Sequence, residues 1–172
     1  TTSGDASQLI VGGYVMVGAI LTNASPVSLA DVTPIARLTG EAEAIAVPVG
    51  SPIQTIGDLV ELLKADPGAV SWAGGSAGGG DHITVGLLAK SACVDPTKVN
   101  YVAFSGGGEA LAAILGNQVT AGISSVSEFQ AQADAGTMRI LAVSTAERWP
   151  STDAPTLKES GLDVDVLNWR MV

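Results

Sequence analysis

The chain holds one cysteine, Cys93, and one histidine, His82, in 172 residues. A lone cysteine excludes an internal disulfide and a cysteine metal cluster. A lone histidine excludes a multi-histidine metal centre, so no metal is expected. Basic residues are few: 8 Lys and Arg stand against 17 Asp and Glu, a net charge of −9. A nucleic-acid surface carries a basic footprint, so no nucleic-acid partner is expected. A small anionic ligand stays open, because local backbone dipoles can outweigh a distant negative average. No apolar run approaches the ~20 residues of a membrane span. The segment Thr1 to Gln8 is polar and carries no signal peptide. Charged residues make up 15% and hydrophobic residues 47%, which predicts a sizeable core and excludes disorder.

Glycine is abundant, and five of the 21 stand at 74, 75, 78, 79 and 80. A β-type run, Ala69–Ala73, feeds this stretch, and a helix-type run from Ile83 leaves it. Glycine allows positive φ and close approach of a ligand to the main chain. The first N–H groups of a helix have no partner inside it, and the dipole there is positive. A strand, a glycine turn and a helix start therefore make a small anion cradle. The nucleotide-binding orders GxxxxGK[ST] and GxGxxG are both missing, so no nucleotide cofactor, or any other, is expected.

In chain order, Leu9–Val17 reads as a buried strand, a turn at Gly12-Gly13 and a helix start. Ile35–Leu38 and Ala44–Val47 read as two strands around Gly40-Glu41. Thr55-Ile-Gly-Asp58 has capping-box spacing, and Ile56, Leu59, Val60 and Leu63 share one helical face. A second strand at 99–104 runs into Ser105-Gly-Gly-Gly108 and a helix with Ala110, Leu111, Ile114 and Leu115 on its apolar face. A third at 119–123 ends in Ser124-Ser125, with Ser127 the expected cap of the next helix. A fourth spans 139–143, Pro155–Gly161 reads as a short helix, and Val164–Leu167 as a last strand. Such alternation predicts βαβ units in an α/β fold, a mostly parallel sheet with flanking helices.

Ligands of open α/β sheets collect beyond the carboxyl ends of the strands. Three successive strands end in Gly or Ser, at 74–80, 105–108 and 124–127, and all three loops are expected on one edge. They offer main-chain N–H groups and small hydroxyls, a surface for a carboxylate. An enzyme acting on a small phosphorylated or acyl anion is the rival reading, with Ser76, Asp81 and His82 as its apparent triad. Neighbouring residues at a helix start point in different directions, so Asp81 is poorly placed to orient His82, and a structural His82 is expected. Glu109 opens a helix, where a carboxylate is favourable anyway. Cys93 is expected to be an inert buried thiol, and Trp72, Trp149 and Trp169 to pack in the core.

Several strings resemble one family closely. Leu38-Thr-Gly-Glu41, Val70–His82, Val99–Ala110, Leu115–Val119, Leu141–Ser144, Asp153–Gly161 and Asn168-Trp-Arg170 match, in order, the tripartite tricarboxylate transporter receptors (the TctC/Bug family). Phe104-Ser-Gly-Gly-Gly-Glu109 is similar to the tricarboxylate-type branch. The resemblance implies a periplasmic solute-binding protein of the type II periplasmic-binding-protein fold, with two lobes closing on a ligand and no enzymatic turnover. It implies a citrate-like di- or tricarboxylate as cargo and a membrane permease as partner. Family members are longer, with a signal peptide and a first Gly-rich turn upstream of this chain. One lobe is then nearly complete and the other partial: residues 1–40 are partial lobe 1 and crossover, 41–145 lobe 2, and 146–172 the return toward lobe 1. Self-association through uncovered lobe 1 surface is a further expectation. The ligand-binding residues expected on this reading are Gly13, Tyr14, Gly75, Ser76, Ala77, Gly78, Gly80, Asp81, His82, Ser105, Gly106, Gly107, Glu109 and Ser125. Gly80 departs from relatives that carry Thr or Ser there, which removes one hydroxyl.

Overall fold

A computed structural model describes residues 7–172; of the polar segment Thr1 to Gln8, the first six residues lie outside it. In chain order the elements are β1 (Gly12–Gly13), α1 (Tyr14–Thr22), β2 (Arg37–Pro48), α2 (Ile56–Ala65), β3 (Ser71–Gly74), α3 (Gly80–Ser91), β4 (Asn100–Ala103), α4 (Gly107–Leu115), β5 (Ala121–Ser125), α5 (Val126–Asp134), β6 (Met138–Val143) and β7 (Leu167–Met171). Short 3-10 turns stand at Leu29–Asp31 and Pro96–Lys98.

Strand β2 is the spine of the sheet. Its first half, Arg37 to Ala42, pairs antiparallel with β7, which in turn pairs with β1. Its second half pairs antiparallel with β5 on one side and β6 on the other. Beyond β5 lie β3 and then the edge strand β4, both in parallel register. The sheet is therefore mixed: the parallel order expected from strand–helix alternation holds for β5, β3 and β4, where helices make the crossovers. It fails at β2, whose return partners arrive from other directions.

Alternation along β2 divides the core. Ala42, Ala44 and Ala46 join Phe129, Ile114 and Ala110 beneath α4 and α5. Ile45 and Val47 join Trp72, Leu59, Leu63 and Leu88 beneath α2 and α3. Glu43 falls on that second face and is fully buried. The capping box of α2 forms as its spacing predicts, Thr55 Oγ1 accepting the Asp58 N–H at 3.2 Å and Asp58 accepting the Thr55 N–H at 2.9 Å.

Several local expectations are corrected. Leu9, Ile10 and Val11 are exposed (57–72%), and only Gly12 and Gly13 form strand there. Residues 37–48 make one continuous strand with no turn at Gly40, where a Cβ would stand 2.7 Å from Leu167 Cδ2, so the glycine serves close packing against β7. Ser125, not Ser127, is the N-cap residue of α5. Pro155–Gly161 forms no helix: Thr156 bridges to Val143, and the Leu157 N–H donates to the Val143 carbonyl, which ties the segment to β6. The last strand starts at Leu167, three residues later than the sequence pattern indicates. Trp72 is buried in the core, whereas Trp149 and Trp169 are half-buried. Cys93 is exposed, because the chain leaves α3 through a left-handed backbone there (φ 61°).

The amphipathic assignment of α2 is testable with one adjacent pair. Leu63 is fully buried and Leu62 is 48% exposed. Leu63→Ala is expected to lower unfolding stability by about 2–5 kcal/mol, and Leu62→Ala by under about 1 kcal/mol, in urea titrations.

Candidate functional site

Parallel neighbours end on the same edge, so β3, β4 and β5 deliver their following loops to one place. A cavity of about 260 Å³ opens there, and residues of all three loops line it: Gly75, Ser76, Gly79 and Gly80; Ser105, Gly106 and Gly107; Ser124 and Ser125. Val15 of α1 and Asn168 and Arg170 of β7 complete the wall with Glu41, Asp81 and Glu128.

The helix starts differ sharply in their caps. Ser28, Thr55 and Asp95 cap the two 3-10 turns and α2 through their side chains. Helices α3, α4 and α5 begin at Gly79, Gly106 and Ser125 with no side-chain cap, and all three of these residues line the cavity or lie on its rim. Their first-turn N–H groups lack a side-chain cap at the cavity edge; α1, which starts at Gly13 off the wall, is the other uncapped helix among the described residues. Positive dipole ends add to that donor set.

The loop after β3 holds its own shape. The Gly75 N–H donates to Asp81 Oδ2 at 2.7 Å, the Tyr101 hydroxyl to the Gly75 carbonyl at 2.8 Å, and the Gly78 N–H to His82 Nδ1 at 3.1 Å. The His82 ring stacks on Tyr101 at 4.4 Å. Asp81 and His82 are thus each spent on a different glycine of the loop, as loop-fixing groups. Helix α1 lies against the same loop, and a Cβ at Gly79 would stand 3.1 Å from Val15 Cγ2.

Eight of the expected residues line the cavity: Gly75, Ser76, Gly80, Asp81, Ser105, Gly106, Gly107 and Ser125. Six stand off its wall. Gly13 pairs with Arg170 across β1 and β7, and Tyr14 tilts on the Trp169 ring at 5.4 Å. Ala77 is exposed on the outer turn of the loop, Gly78 and His82 bind each other, and Glu109 accepts the Ser105 N–H at 3.3 Å. Sequence reasoning missed Val15, Glu41, Gly79, Ser124, Glu128, Asn168 and Arg170 as wall residues. Glu41, Asn168 and Arg170 lie in strings already quoted for the family, which was the available signal.

Three carboxylates and one guanidinium line the cavity. Each carboxylate is engaged: Glu128 by the Ser124 hydroxyl, Glu41 by the Ser127 hydroxyl at 2.6 Å, Asp81 by the Gly75 N–H. Gly107 is needed for this closure, since a Cβ there would stand 2.5 Å from Glu128 Oε2. Arg170 Nη1 donates to Asn168 Oδ1 at 2.6 Å and to the Trp169 carbonyl at 3.0 Å, and makes no ion pair among the described residues. It is the cation of the wall.

Directly beneath Gly80 lies Glu43. A Cβ on Gly80 would stand 2.8 Å from Glu43 Oε1, so the glycine leaves room for that carboxyl. Among the described residues its polar neighbours are Asp81 and Asn168, and neither Glu43 oxygen has a well-formed hydrogen bond. Burial first, and then the negative charge of Asp81, push the Glu43 carboxyl from 4.5 up to about 9. Burial also raises Asp81, opposed by its bond from the Gly75 N–H. Tyr101 is pushed up by burial and by the same two carboxyls.

The family model described as the tripartite tricarboxylate transporter family receptor matches residues 15–171. The chain belongs to that family. A Cupriavidus necator relative, the UPF0065 protein in the gbd 5' region, is 28% identical over 137 residues, 78% of this receptor chain and 40% of its own length. A TctC solute-binding protein from Polaromonas, solved without ligand, superposes with a TM-score of 0.78 at 25% identity, over 94% of this chain and 55% of that one. MatC from Rhodopseudomonas palustris, solved with bound malate, gives the same TM-score and identity over 94% and 56%. The receptor chain therefore spans about half the length of the relatives it matches. Its α/β fold is that of the type II periplasmic-binding proteins, one part of it nearly whole and the other partial. No helix among the described residues is long and apolar enough to cross a membrane, and no cluster among them could hold a metal ion.

The raised Glu43 carboxyl makes stability depend on pH. Its folded value, about 9, lies above its ordinary 4.5, so the folded chain holds the proton more tightly than the unfolded chain. That contribution is complete below about 4.5, declines as pH rises, and is lost once pH passes about 9. Glu43→Gln keeps the shape without the ionisation. Thermal melts are expected to fall between about pH 5 and about pH 9 in the parent and to change far less in the variant.

Proposed function

We propose that this receptor chain binds a small di- or tricarboxylate in the cavity at the ends of β3, β4 and β5. The carrying observation is the convergence of three uncapped helix starts on one opening that also presents Arg170, which makes no ion pair among the described residues. Backbone N–H groups at Gly80, Gly107 and Ser125 and the hydroxyls of Ser76, Ser105 and Ser124 would hold one carboxylate, and Arg170 a second. At about 260 Å³ the cavity lies below the roughly 300–1,000 Å³ of drug-sized sites, which suits a compact acid. Malate in MatC favours a four-carbon dicarboxylate, with citrate the larger candidate.

The whole receptor, in this reading, works in the periplasm and hands its cargo to the permease of a tripartite tricarboxylate transporter. Residues 41–145 form lobe 2, residues 1–40 and 146–172 belong to lobe 1, and closure of the lobes traps the ligand. The chain acts as a receptor and turns nothing over. Its apparent triad supports this, since Asp81 and His82 are bound to Gly75 and Gly78.

Malate and citrate, added during NMR titration of the 172-residue chain, are expected to shift resonances of Gly80, Ser105–Gly107 and Ser124–Ser125 with weak affinity, since part of the cleft belongs to the longer receptor. Arg170→Gln should weaken binding by about tenfold or more, as a charge-assisted contact would. An intact spectrum that neither acid perturbs would sink the carboxylate reading.

A further inference from the structure

An acidic protein with three carboxylates around its cavity and a fourth beneath is a poor host for an anion unless some of that charge is cancelled. Three of the four are engaged by hydroxyls or N–H groups. Glu43 is not: it is fully buried, its polar neighbours among the described residues are Asp81 and Asn168 with no well-formed hydrogen bond to either oxygen, and Oε1 stands beneath Gly80 of the cavity wall. The groups facing it are Asp81 and Gly80 from α3, Glu128 from α5, Asn168 from β7 and Tyr101 from β4. The charges among these that act on it, Asp81 and Glu128, are both negative. Of the neighbours, Asn168 is the one that favours its ionised form. A carboxylate in that place has nothing to neutralise it except a proton.

We propose that Glu43 and Asp81 share one proton beneath the cradle, and that a carboxylate guest is captured together with that proton. The inference rests on the carboxylate reading of the cavity. Asp81 is the link between the two levels. One of its oxygens fixes the Gly75 N–H, which shapes the loop, while its carboxyl acts on Glu43 below. With the proton in place the pair carries one negative charge, and that charge is committed to Gly75. Without it a second negative charge appears under Gly80, where the helix start offers its donors. Coupled carboxyls titrate as a pair, so the shared proton leaves in the alkaline range, near the value of about 9 that burial and Asp81 impose on Glu43. Above that pH a guest must bring a proton in from solvent to bind well. Glu43 is a positioning residue here, since it touches no ligand.

Carboxyl-carbon NMR on isotope-labelled 172-residue chain reads the proton directly, and the same samples titrated with malate read the linkage. A Glu43 resonance with an apparent midpoint near 9, moved upward by about one pH unit with saturating malate, is the expected result. Malate affinity should fall by about fivefold between about pH 7 and about pH 10. In Glu43→Gln the resonance disappears and the alkaline fall is lost. A Glu43 midpoint near its ordinary 4.5 would overturn the shared proton. So would an alkaline fall that persists in the Gln variant. Aspartate, the amino counterpart of malate, separates another outcome: tighter binding of aspartate at about pH 7 would mean that the carboxylates hold an ammonium group, which overturns the proposal. If neither malate nor citrate binds, the carboxylate reading and the co-capture fall together, while a midpoint near 9 would still establish the proton on the pair.

Discussion

Everything at the cavity follows from three helix starts left without side-chain caps. A chain that supplies Ser28, Thr55 and Asp95 as caps at three other starts has the means to cap these as well. It places glycine or a turned-away serine there instead. Unpaired N–H groups cost free energy unless water or a guest takes them. Parallel pairing of β3 with β4 and β5 is what brings the three starts together, and β2 fixes that trio against the rest of the sheet. The cost of open donors is thus concentrated at one edge, where a bound anion would recover it.

The floor of the site obeys a second constraint. Strand alternation sends Glu43 to the face that otherwise holds Ile45 and Val47, among the best-packed side chains of the molecule. A carboxyl in such a place is normally selected against, because a buried charge without a partner is expensive. Here its position under Gly80, and the absence of any Cβ at that residue, make the carboxyl part of the cavity's architecture.

The convergence of loops 74–80, 105–108 and 124–127 was legible in the sequence because it needs only strand order and glycine. The capping box at Thr55 and the buried face of α2 were legible for the same reason: both are local. The single long β2 was not, since Gly40 reads as a turn until the Leu167 side chain of β7 is known to pack against it. Nor was the absence of a helix at Pro155–Gly161, which is decided by pairing with Val143. Within the site, Glu41 of β2, Glu128 of α5 and the Asn168 and Arg170 pair of β7 come from three separate stretches, so the folded register is what shows that they share a wall. Gly78 and His82 illustrate the opposite error, in which groups of suitable chemistry satisfy one another and leave nothing for a guest.

Asn168 and Arg170 reach the cavity from β7, a strand only half-buried and anchored through the first half of β2 and the two residues of β1. The two large apolar clusters lie under the other strands. Recognition and foldedness are therefore underwritten by different parts of the polypeptide. Peeling β7 from its neighbours would strip the pocket of its guanidinium while leaving both apolar clusters in place, so that a structurally sound chain would lose the cation of its wall.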